Sequence, residues 1–539
     1  MRVPSRTDRR FVWAVGAIVA GALMLRLAQI GHDSFWVDEI NVLTFVRSGH
    51  LLTDVRGRGG PFEPPLHYVA VWLASFLPIG FEAAARVPAA VFGTLEVFAL
   101  VFLTRRLSGR RDVAILAGAY LAVAPFAVRY SQENRYYTTF SALHLVSWWL
   151  LLRALQTRSR PAFIWWGVAV ALLILAHPFA PLVVLVQFGL IAGIARHEHR
   201  TGDPGGARAL AQSSVRGVLI ALVGVTPWYL YGLVQWLPDL FNGRSYRLNT
   251  GSREAVSLDF DLVKRVAQWL LANGGRWTIL SVLLGLLVGV GIALGRAQER
   301  RVARWVGAYT AGFFLGLIPL ARALNTYFAM RRIEFLLPPM LLLAALGTVA
   351  IADRFQDRCA PNPFPSRRAM VVLVTAVLGL SATATLTYYS TEKSNYRGLA
   401  EVVRTTPAKD SVVIGPVDSR WPSSIRSYLS WSRVHRKIRF LVVGRNMPRV
   451  PEPHGAVVWI TGSPPEGPAF ATRGLNSIPD LQVIAGDRTA PGSILPWFVS
   501  TTMPTSRREL QSEFDQVSRL PVLLAPPASS FPWWLFIGR

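Results

Sequence analysis

Two adjacent carboxylates follow the first long apolar run of the sequence, in the segment "DSFWVDEINVLTF". A charged carboxylate beside lipid costs free energy, so acids in the position of Asp38 and Glu39 commonly have a catalytic or binding role. Phe35 and Trp36 would hold the pair at the membrane interface, where aromatic side chains collect. Partial loss of water makes a carboxylate more basic, which suits a general base acting on a sugar or lipid hydroxyl. The alternatives are a solvated loop pair, or an aspartate that caps a short interfacial helix beginning at Ile40.

A second polar string, "RYSQENRYYTTF", lies between two predicted spans on the same predicted side of the membrane. Arg135 can bind a phosphate through charge-assisted hydrogen bonds. Glu133 can orient that phosphate or a sugar hydroxyl, and Gln132, in the same string, is a further candidate for binding the phosphate or sugar of the donor. The alternative is a short polar turn without a ligand.

Three further segments carry candidate polar residues on that side. Glu63 and His67 lie in "GPFEPPLHY" and are candidates for a contact with the acceptor; the alternative is a proline-stiffened loop that leads into an amphipathic helix. His177 lies in the short turn "AHPFAP", where an interfacial hydrogen bond is the alternative to a ligand role. Arg331 and Arg332 precede "IEFLLPP", and they either anchor the interface or bind a lipid phosphate. Inside the predicted spans, Arg26 and Glu96 are expected to pair with each other.

The composition is that of a helical membrane protein. The chain has 539 residues, is 52% hydrophobic and only 16% charged, and its apolar residues come in long runs. Its net charge is +26, most of its arginines lie in short loops between apolar runs, where they set topology, and no nucleic-acid recognition motif accompanies them. Cys359 is the only cysteine, which excludes an intrachain disulfide. Without a phosphate loop of the G-x-x-x-x-G-K type, an ATP-driven reaction has no support.

The apolar runs predict about 11 transmembrane helices, each needing about 20 mostly apolar residues. Lysine and arginine are about twice as dense in alternate loops, which places the N-terminus in the cytoplasm and the candidate residues outside. The first run is expected to be retained rather than cleaved as a signal peptide. The proline-led stretch 65–79 is expected to be an interfacial or re-entrant helix. The predicted spans are 11–30, 84–104, 112–129, 136–153, 162–176, 179–195, 217–234, 277–295, 305–321, 333–351 and 370–389.

The last part of the chain has a different character. Residues 390–539 contain no spanning run, and short β-rich strings such as "SVVIGPV", "IRFLVVG" and "AVVWITG" alternate with helix-like stretches such as "YRGLAEVVRTT". This pattern predicts a soluble α/β domain, which the odd number of spans places outside the cell membrane. The predicted organisation is a transmembrane domain over 1–389, with a first external loop over 31–83, followed by this external domain.

The order of these elements resembles a known family. The Asp–Glu pair, "PPLHY", "SQENRYY", "HPF" and "RRIEFLLPPMLLLAALG" follow one another as in the bacterial GT-C glycosyltransferases. More specifically, the chain resembles the dolichyl-phosphate-mannose–protein mannosyltransferase and aminoarabinose-transferase type. The resemblance extends over about residues 10–390. It implies the GT-C fold, with a C-terminal soluble domain as many relatives have. Glu63 departs from it, since relatives often have a basic or imidazole side chain before the two prolines.

The resemblance also implies an activity. Such enzymes take a sugar from a polyprenyl-phosphate-linked donor on the external face of the plasma (inner) membrane, usually with inversion, and pass it to a lipid, glycan or protein acceptor. Asp38 then matches the catalytic base and Glu39 its neighbour. Glu133 and Arg135 match the element near the donor phosphate, and His177 matches a frequent external histidine. A divalent metal, Mg²⁺ or Mn²⁺, is possible, and Asp38 and Glu39 would be its ligands.

The chemistry of the residues agrees with that activity. A phosphate is already a good leaving group, so an inverting transfer needs mainly one base and cationic stabilisation of the phosphate, unlike glycoside hydrolysis with its pair of carboxyl groups. The alternative from another class is a polytopic transporter or a lipid-linked sugar flippase. That reading favours ionisable groups near the membrane midplane and inverted repeats, and no repeat is visible in the sequence.

Overall fold

The chain forms two compact units in a computed structural model. One unit comprises 1–30 and 45–388 and is helical, and the other comprises 31–44 and 389–539. The structure describes 6–53, 55, 63–241, 268, 270–272, 278–323, 330–358, 364–390, 397, 410–416, 427–428, 430–431, 437–443, 455–460, 481–483 and 497–500.

Helices account for nearly all the described residues before 390, as the apolar runs predict. A 3₁₀ segment, Met330–Leu336, leads directly into α13. The helices are α1 (Arg6–Leu27), α2 (Val37–Val46), α3 (Leu66–Ala74), α4 (Phe81–Ser108), α5 (Arg111–Val123), α6 (Pro125–Tyr130), α7 (Tyr137–Thr157), α8 (Arg160–Ile174), α9 (Ala180–Arg200), α10 (Pro204–Phe241), α11 (Thr278–Leu294), α12 (Ala297–Ala323), α13 (Leu337–Arg358) and α14 (Phe364–Ser390).

Six described helices are long and apolar enough to cross a membrane, which makes this a multi-pass membrane protein. The total of eleven spans stays a prediction, because α8 and α11 are apolar but shorter. Helix α3 has nine residues and is too short to span, in agreement with the short helix expected over 65–79. The six candidate spans are Arg9–Leu27, Phe81–Ser108, Ala180–Arg200, Pro204–Val234, Arg331–Arg358 and Arg368–Tyr389.

Glycines allow two pairs of helices to approach closely. Where α11 crosses α13, a Cβ on Gly347 would overlap the carbonyl oxygen of Leu287, and one on Gly291 would overlap that of Leu343. Where α8 crosses α10, a Cβ on Gly167 would overlap the carbonyl oxygen of Gly217. Small residues at a crossing are the usual way for membrane helices to gain van der Waals contact, since lipid is as apolar as the helix surface.

Polar side chains are also buried inside the helical unit. Arg26 is fully buried and donates to Ser131 Oγ at 3.1 Å and to the carbonyl oxygen of Ala122 at 3.1 Å. Glu96, equally buried, accepts a 2.5 Å hydrogen bond from Ser141 Oγ. Arg26 and Glu334 both act electrostatically on Glu96, and the direct pairing of Arg26 with Glu96 stays a prediction.

The second unit contains a five-stranded mixed sheet in the order β2-β1-β3-β5-β4. Strands β1, β2 and β3 coincide with the three β-rich strings and pair in parallel, whereas β5 pairs antiparallel with β3 and β4. The helix-like stretch 396–406 lies outside the described residues apart from Arg397, and an α/β domain over 390–539 stays a prediction. The strands are β1 (Asp410–Pro416), β2 (Lys437–Val443), β3 (Gly455–Ile460), β4 (Leu481–Val483) and β5 (Trp497–Ser500).

Candidate active site

The Asp–Glu pair occupies the first turn of α2. This helix begins at Val37 rather than at Ile40, so Asp38 lies inside its first turn and is not its N-cap. Glu39 is 1% exposed, and its Oε2 accepts a hydrogen bond from the main-chain N–H of Trp36 at 3.2 Å. Asp38 is part-exposed. A carboxylate in the first helical turn is also stabilised by the helix dipole.

An aromatic contact fixes the segment before this pair. The main-chain N–H of Phe35 donates to the Tyr428 hydroxyl at 2.6 Å, and the two rings stack with centroids 6.2 Å apart. Trp431 packs edge-on against Phe35 at 6.1 Å. The Asp–Glu segment therefore belongs to the second compact unit, and Tyr428 and Trp431 are supporting residues that sequence reasoning missed. No local signal marks them, because they follow Phe35 by nearly 400 positions.

Within the helical unit, α3 and the turn before α7 hold a buried histidine between them. His67 Nε2 lies 3.1 Å from Asn134 Oδ1, and its Nδ1 lies 3.4 Å from Thr139 Oγ1. A neutral imidazole that donates from Nε2 and accepts at Nδ1 satisfies both contacts. The main-chain N–H of Leu66 also donates to the Leu175 carbonyl oxygen at 3.0 Å, which ties α3 to the end of α8. His67 and the turn with His177 are therefore held on one framework.

Five of the predicted site residues gather around that framework. The Arg135 guanidinium lies 4.8 Å from the ring centroid of Tyr136, and the Tyr136 ring packs edge-on against His177 at 5.0 Å. Arg135 and Arg332 both act electrostatically on Glu63 and on His177. We call Glu63, His67, Arg135, His177 and Arg332 the Arg135 cluster. It combines two permanent cations with one carboxyl group and two imidazoles.

Burial decides the protonation states in the Arg135 cluster. Burial lowers the pKa of His67 to about 3, and Arg135 adds to the shift by repelling the charged imidazole. Burial also lowers the pKa of His177 well below its ordinary value. Both histidines are therefore neutral at pH 7. Glu63 is part-exposed as a residue, but protein packed around its carboxyl group raises its pKa, while the 2.7 Å hydrogen bond from the Tyr68 hydroxyl and the two arginines oppose that rise.

Gln132 and Glu133 have different surroundings. The Gln132 Nε2 donates to the carbonyl oxygens of Ala28 at 2.6 Å and Arg26 at 3.2 Å, so it satisfies main-chain acceptors at the C-terminal end of α1. Glu133 is 4% exposed, and its Oε1 pairs with Arg129 Nε at 3.3 Å. These contacts give both residues a stabilising role at the junction of α1 and α6, and their predicted donor contact stays a prediction.

Arg331 lies on the Glu133 side of the site, where it acts electrostatically on Tyr130. Tyr130 packs edge-on against Tyr137 at 5.6 Å, and Tyr137 packs against Tyr136 at 5.1 Å. A continuous run of aromatic rings thus connects the surroundings of Arg331 to the Arg135 cluster. The adjacent arginines Arg331 and Arg332 accordingly face different neighbours.

A metal site built from the described residues would need ligands from outside the protein. Among the described residues, no group of three or more His, Cys, Asp or Glu side chains is arranged to hold a metal ion. Mg²⁺ nevertheless commonly binds through one or two carboxylates together with waters and substrate phosphates. Of the two predicted ligands, Asp38 is part-exposed and fits that requirement, whereas Glu39 is buried and its Oε2 already accepts the Trp36 N–H.

Known proteins share this arrangement of helices. Residues 63–231 match the model of a family described as dolichyl-phosphate-mannose-protein mannosyltransferase. The resemblance to the GT-C glycosyltransferases is confirmed. The matched range contains Glu63, His67, Arg135 and His177 of the Arg135 cluster and ends before Arg332. No curated protein sequence matches the chain.

Two solved structures show the shared fold. The apo structure of ArnT from Cupriavidus metallidurans aligns with a TM-score of 0.51 and 16% sequence identity, covering 90% of this chain and 98% of ArnT. The archaeal oligosaccharyltransferase AglB from Archaeoglobus fulgidus, in complex with an inhibitory peptide and a dolichol-phosphate, aligns with a TM-score of 0.51 and 10% identity. That alignment covers 80% of this chain and 65% of AglB, so this chain spans less than two thirds of its length.

Proposed function

We propose that this protein is a membrane glycosyltransferase that takes a sugar from a polyprenyl-phosphate-linked donor. The acceptor is a lipid, a glycan or a protein on the external face of the plasma membrane, and the anomeric centre is inverted. Asp38 is the base, and Glu39 positions it. The Arg135 cluster receives the donor phosphate.

The observation that carries the proposal is that Arg135 and Arg332 both lie close enough to Glu63 and to the neutral His177 to act on them electrostatically, and that Arg135 acts likewise on the neutral His67. A phosphate brought into this cluster meets two planar cations, each able to make charge-assisted bonds to its oxygens. Neutral imidazoles add hydrogen-bonding capacity without adding charge. Because the cluster is largely desolvated, each of these contacts is stronger than it would be in water.

The reaction that these residues support is a single displacement. Asp38 accepts the proton of the acceptor hydroxyl, whose oxygen attacks the anomeric carbon of the donor from the face opposite the phosphate. The bond from the anomeric carbon to the phosphate oxygen breaks, and its electron pair leaves with the lipid phosphate. The arginines stabilise the negative charge that develops there. Asp38 and Glu39 would be the protein ligands of a divalent ion, which would act there as a Lewis acid.

The comparisons support the donor class. The AglB structure contains a dolichol-phosphate, a lipid phosphate of the polyprenyl type, and the fold is shared with this chain. The matched family is described by its use of dolichyl-phosphate-mannose. The proposal includes both hexosyl and pentosyl transfer.

The test begins in cells that lack this protein. Mass spectrometry of their lipid extract should show one lipid-linked sugar accumulating while one envelope glycan loses a residue. Purified protein mixed with that donor should then release the lipid phosphate and form the product. An unchanged lipid extract together with an inactive purified protein would contradict the proposal.

A transporter or flippase is the second candidate function, and the buried Arg26, Glu96 and Glu334 group favours it. Ionisable groups inside spanning segments often mark a translocation pathway. Vesicles that contain the purified protein distinguish the two functions. Movement of a lipid-linked sugar between leaflets without release of lipid phosphate would establish transport, whereas release of lipid phosphate establishes transfer.

A further inference from the structure

At the other end of α13 from the Arg135 cluster, a second charged group surrounds a cavity of about 460 Å³. Arg332 precedes the start of α13, whereas Asp353 and Arg358 lie in its last two turns. A helix of 22 residues is about 33 Å long at 1.5 Å per residue. The two groups are therefore separated by roughly the thickness of a bilayer core. The loops at this second end belong to the predicted cytoplasmic face.

Two of the carboxylates that line the cavity, Glu299 and Asp353, are paired in an ion-pair network with Arg110, which is not itself part of the lining. Its guanidinium binds Asp112 at 2.6 Å, Asp353 at 2.6 Å and Glu299 at 2.9 Å. These bonds raise the pKa of Arg110, with the Asp112 bond contributing most. Arg296 completes the network, since its Nε lies 3.3 Å from Asp353 Oδ2 and its main-chain N–H donates to Glu299 Oε2. Helices α5, α12 and α13 are thereby fixed around the cavity, and the carboxylates Glu299 and Asp353 are already neutralised.

The rim of the cavity has cations that this network does not use. Arg300, Arg354 and Arg358 line the cavity and are exposed. Across the described part of the chain, none of the three makes an ion pair, and Asp357 is the only further acid in the lining. The rim therefore carries excess positive charge, directed at a space large enough for a small ligand.

The apolar part of the lining and the position of the cavity indicate the kind of ligand. Leu294 and Ala350 contribute apolar surface beside the arginines. The cavity lies one helical turn beyond Gly291 and Gly347, where α11 and α13 are in close contact. Helix α11 has exposed apolar side chains, as expected for a surface that faces lipid: Ile279, Val282 and Leu286. A lipid bound here would place its polar headgroup among the arginines and its apolar chains along α11.

We propose that this cavity binds the phosphate of an acidic phospholipid headgroup, with Arg300, Arg354 and Arg358 as its ligands. Basic pockets between spanning helices at the cytoplasmic end recognise anionic headgroups by this combination of charge and apolar surface. Planar guanidinium groups suit a phosphodiester, because each can donate two parallel hydrogen bonds. The bound lipid would join α11, α12 and α13 at the end opposite the Arg135 cluster. This inference is independent of the proposed glycosyl transfer.

The experiment measures lipid binding to the purified full-length protein by native mass spectrometry. Phosphatidylglycerol is titrated against phosphatidylcholine with the same acyl chains, and one phosphatidylglycerol should bind about tenfold more tightly. Arg300→Gln and Arg354→Gln should each lower that affinity about tenfold, the loss expected for one hydrogen bond to a charged group. Arg301→Gln is the matched control: Arg301 is the next residue on α12, is exposed and does not line the cavity. Its affinity for phosphatidylglycerol should stay within about twofold of wild type.

Three outcomes would overturn the proposal. Equal binding of the two lipids to wild type would remove the headgroup preference. An equal loss of affinity for phosphatidylglycerol in Arg301→Gln would show that overall positive charge, and not this cavity, binds the lipid. Displacement by inorganic phosphate at the concentration of the lipid would assign the site to a soluble anion. If the variants fail to fold, the wild-type protein provides the test. A photoreactive phosphatidylglycerol should label peptides from the first turn of α12 and the last turn of α13. Labelling only at other positions would contradict the proposal.

Discussion

Asp38 lies in the first helical turn of α2, next to a buried glutamate whose carboxylate is held by the main chain of Trp36. We expect Asp38→Asn to keep the shape of this turn and remove the proton acceptor. General-base catalysis typically contributes about 10²–10⁴-fold, so the transfer rate should fall by at least about 10²-fold. The measurement is turnover of a lipid-linked sugar by the purified variant, alongside its thermal unfolding and donor binding.

Glu39→Gln is the companion to that variant. An amide at this position can still accept the N–H of Trp36 through its oxygen, so Glu39→Gln should fold and keep measurable turnover. Near wild-type turnover by Asp38→Asn would move the base to another residue, with Glu133 and Glu63 the next candidates. Loss of activity together with a lower unfolding temperature would show that the turn serves stability only.

Arg135 is the second residue whose role can be measured directly. Arg135→Ala removes one of the two cations that act on Glu63 and His177 and should raise KM for the donor by about tenfold or more, the cost of a charge-assisted hydrogen bond. Arg135→Lys should restore only part of that loss, since an ammonium lacks the planar fork and the stacking on Tyr136. Steady-state kinetics at limiting donor provide the test. Full activity of Arg135→Ala would reduce Arg135 to an anchor at the helix end.

His67 should make stability depend on pH in the acid range. Its pKa is about 3 in the folded protein and about 6.5 when unfolded, so the unfolded chain binds the extra proton between those values. Stability should therefore fall as the pH drops from about 6.5 towards 3. His67→Gln keeps a donor for Asn134 but has no titrating group. We expect it to fold at pH 7 and to unfold at a lower pH than wild type in acid titrations followed by tryptophan fluorescence.

His177 is buried and neutral for the same reason, so the acid sensitivity in His67→Gln should be reduced and not abolished. Identical acid-unfolding curves for wild type and His67→Gln would show that His67 is not the titrating group. The reference for this comparison is the thermal stability of the two proteins at pH 7, where His67 in wild type and the glutamine of the variant are both uncharged.

At the scale of elements, the glycine crossing of α11 and α13 supports the helical unit. Gly291→Ala places a methyl group against the Leu343 carbonyl oxygen and should cost about 1–3 kcal/mol through overpacking. Gly289→Ala on the same helix meets no atom within 4 Å and should be neutral or slightly stabilising, since alanine favours helix. Thermal unfolding of both variants in detergent measures the difference. Equal stability of the two variants would mean that α11 and α13 do not pack at these glycines.

Contacts between helices also explain why Gln132 was predicted to contact a ligand. A polar string between two spans has the same appearance whether its amide contacts a substrate or a neighbouring main chain. Its hydrogen bonds to Ala28 and Arg26 cross 104 and 106 positions of sequence, so no local pattern reveals them. Glu133, in contrast, pairs with Arg129 at an i,i+4 spacing, which a helical reading of the string could have found.

For the whole molecule, the distribution of arginines predicts an orientation. A reporter fused after Tyr389 should read as external and one at Gly205 as cytoplasmic, because basic loops are retained on the cytoplasmic side. Alkaline phosphatase and fluorescent-protein fusions measure the two positions independently. Two readings on the same side would exclude the predicted topology, and a cytoplasmic reading after Tyr389 would place the second unit away from an external donor.

The sequence by itself determined the helical membrane architecture, the short helix α3 and three strands of the sheet, because these depend on local apolar runs and their period. It also determined which residues could do chemistry, since acids and arginines at helix ends stand out against an apolar background. Only the tertiary structure decided which of them meet. It gathered Glu63, His67, Arg135, His177 and Arg332, assigned Gln132 to α1, and joined Phe35 to Tyr428. Such contacts arise from packing between distant segments, and side-chain spacing along one helix carries no information about them.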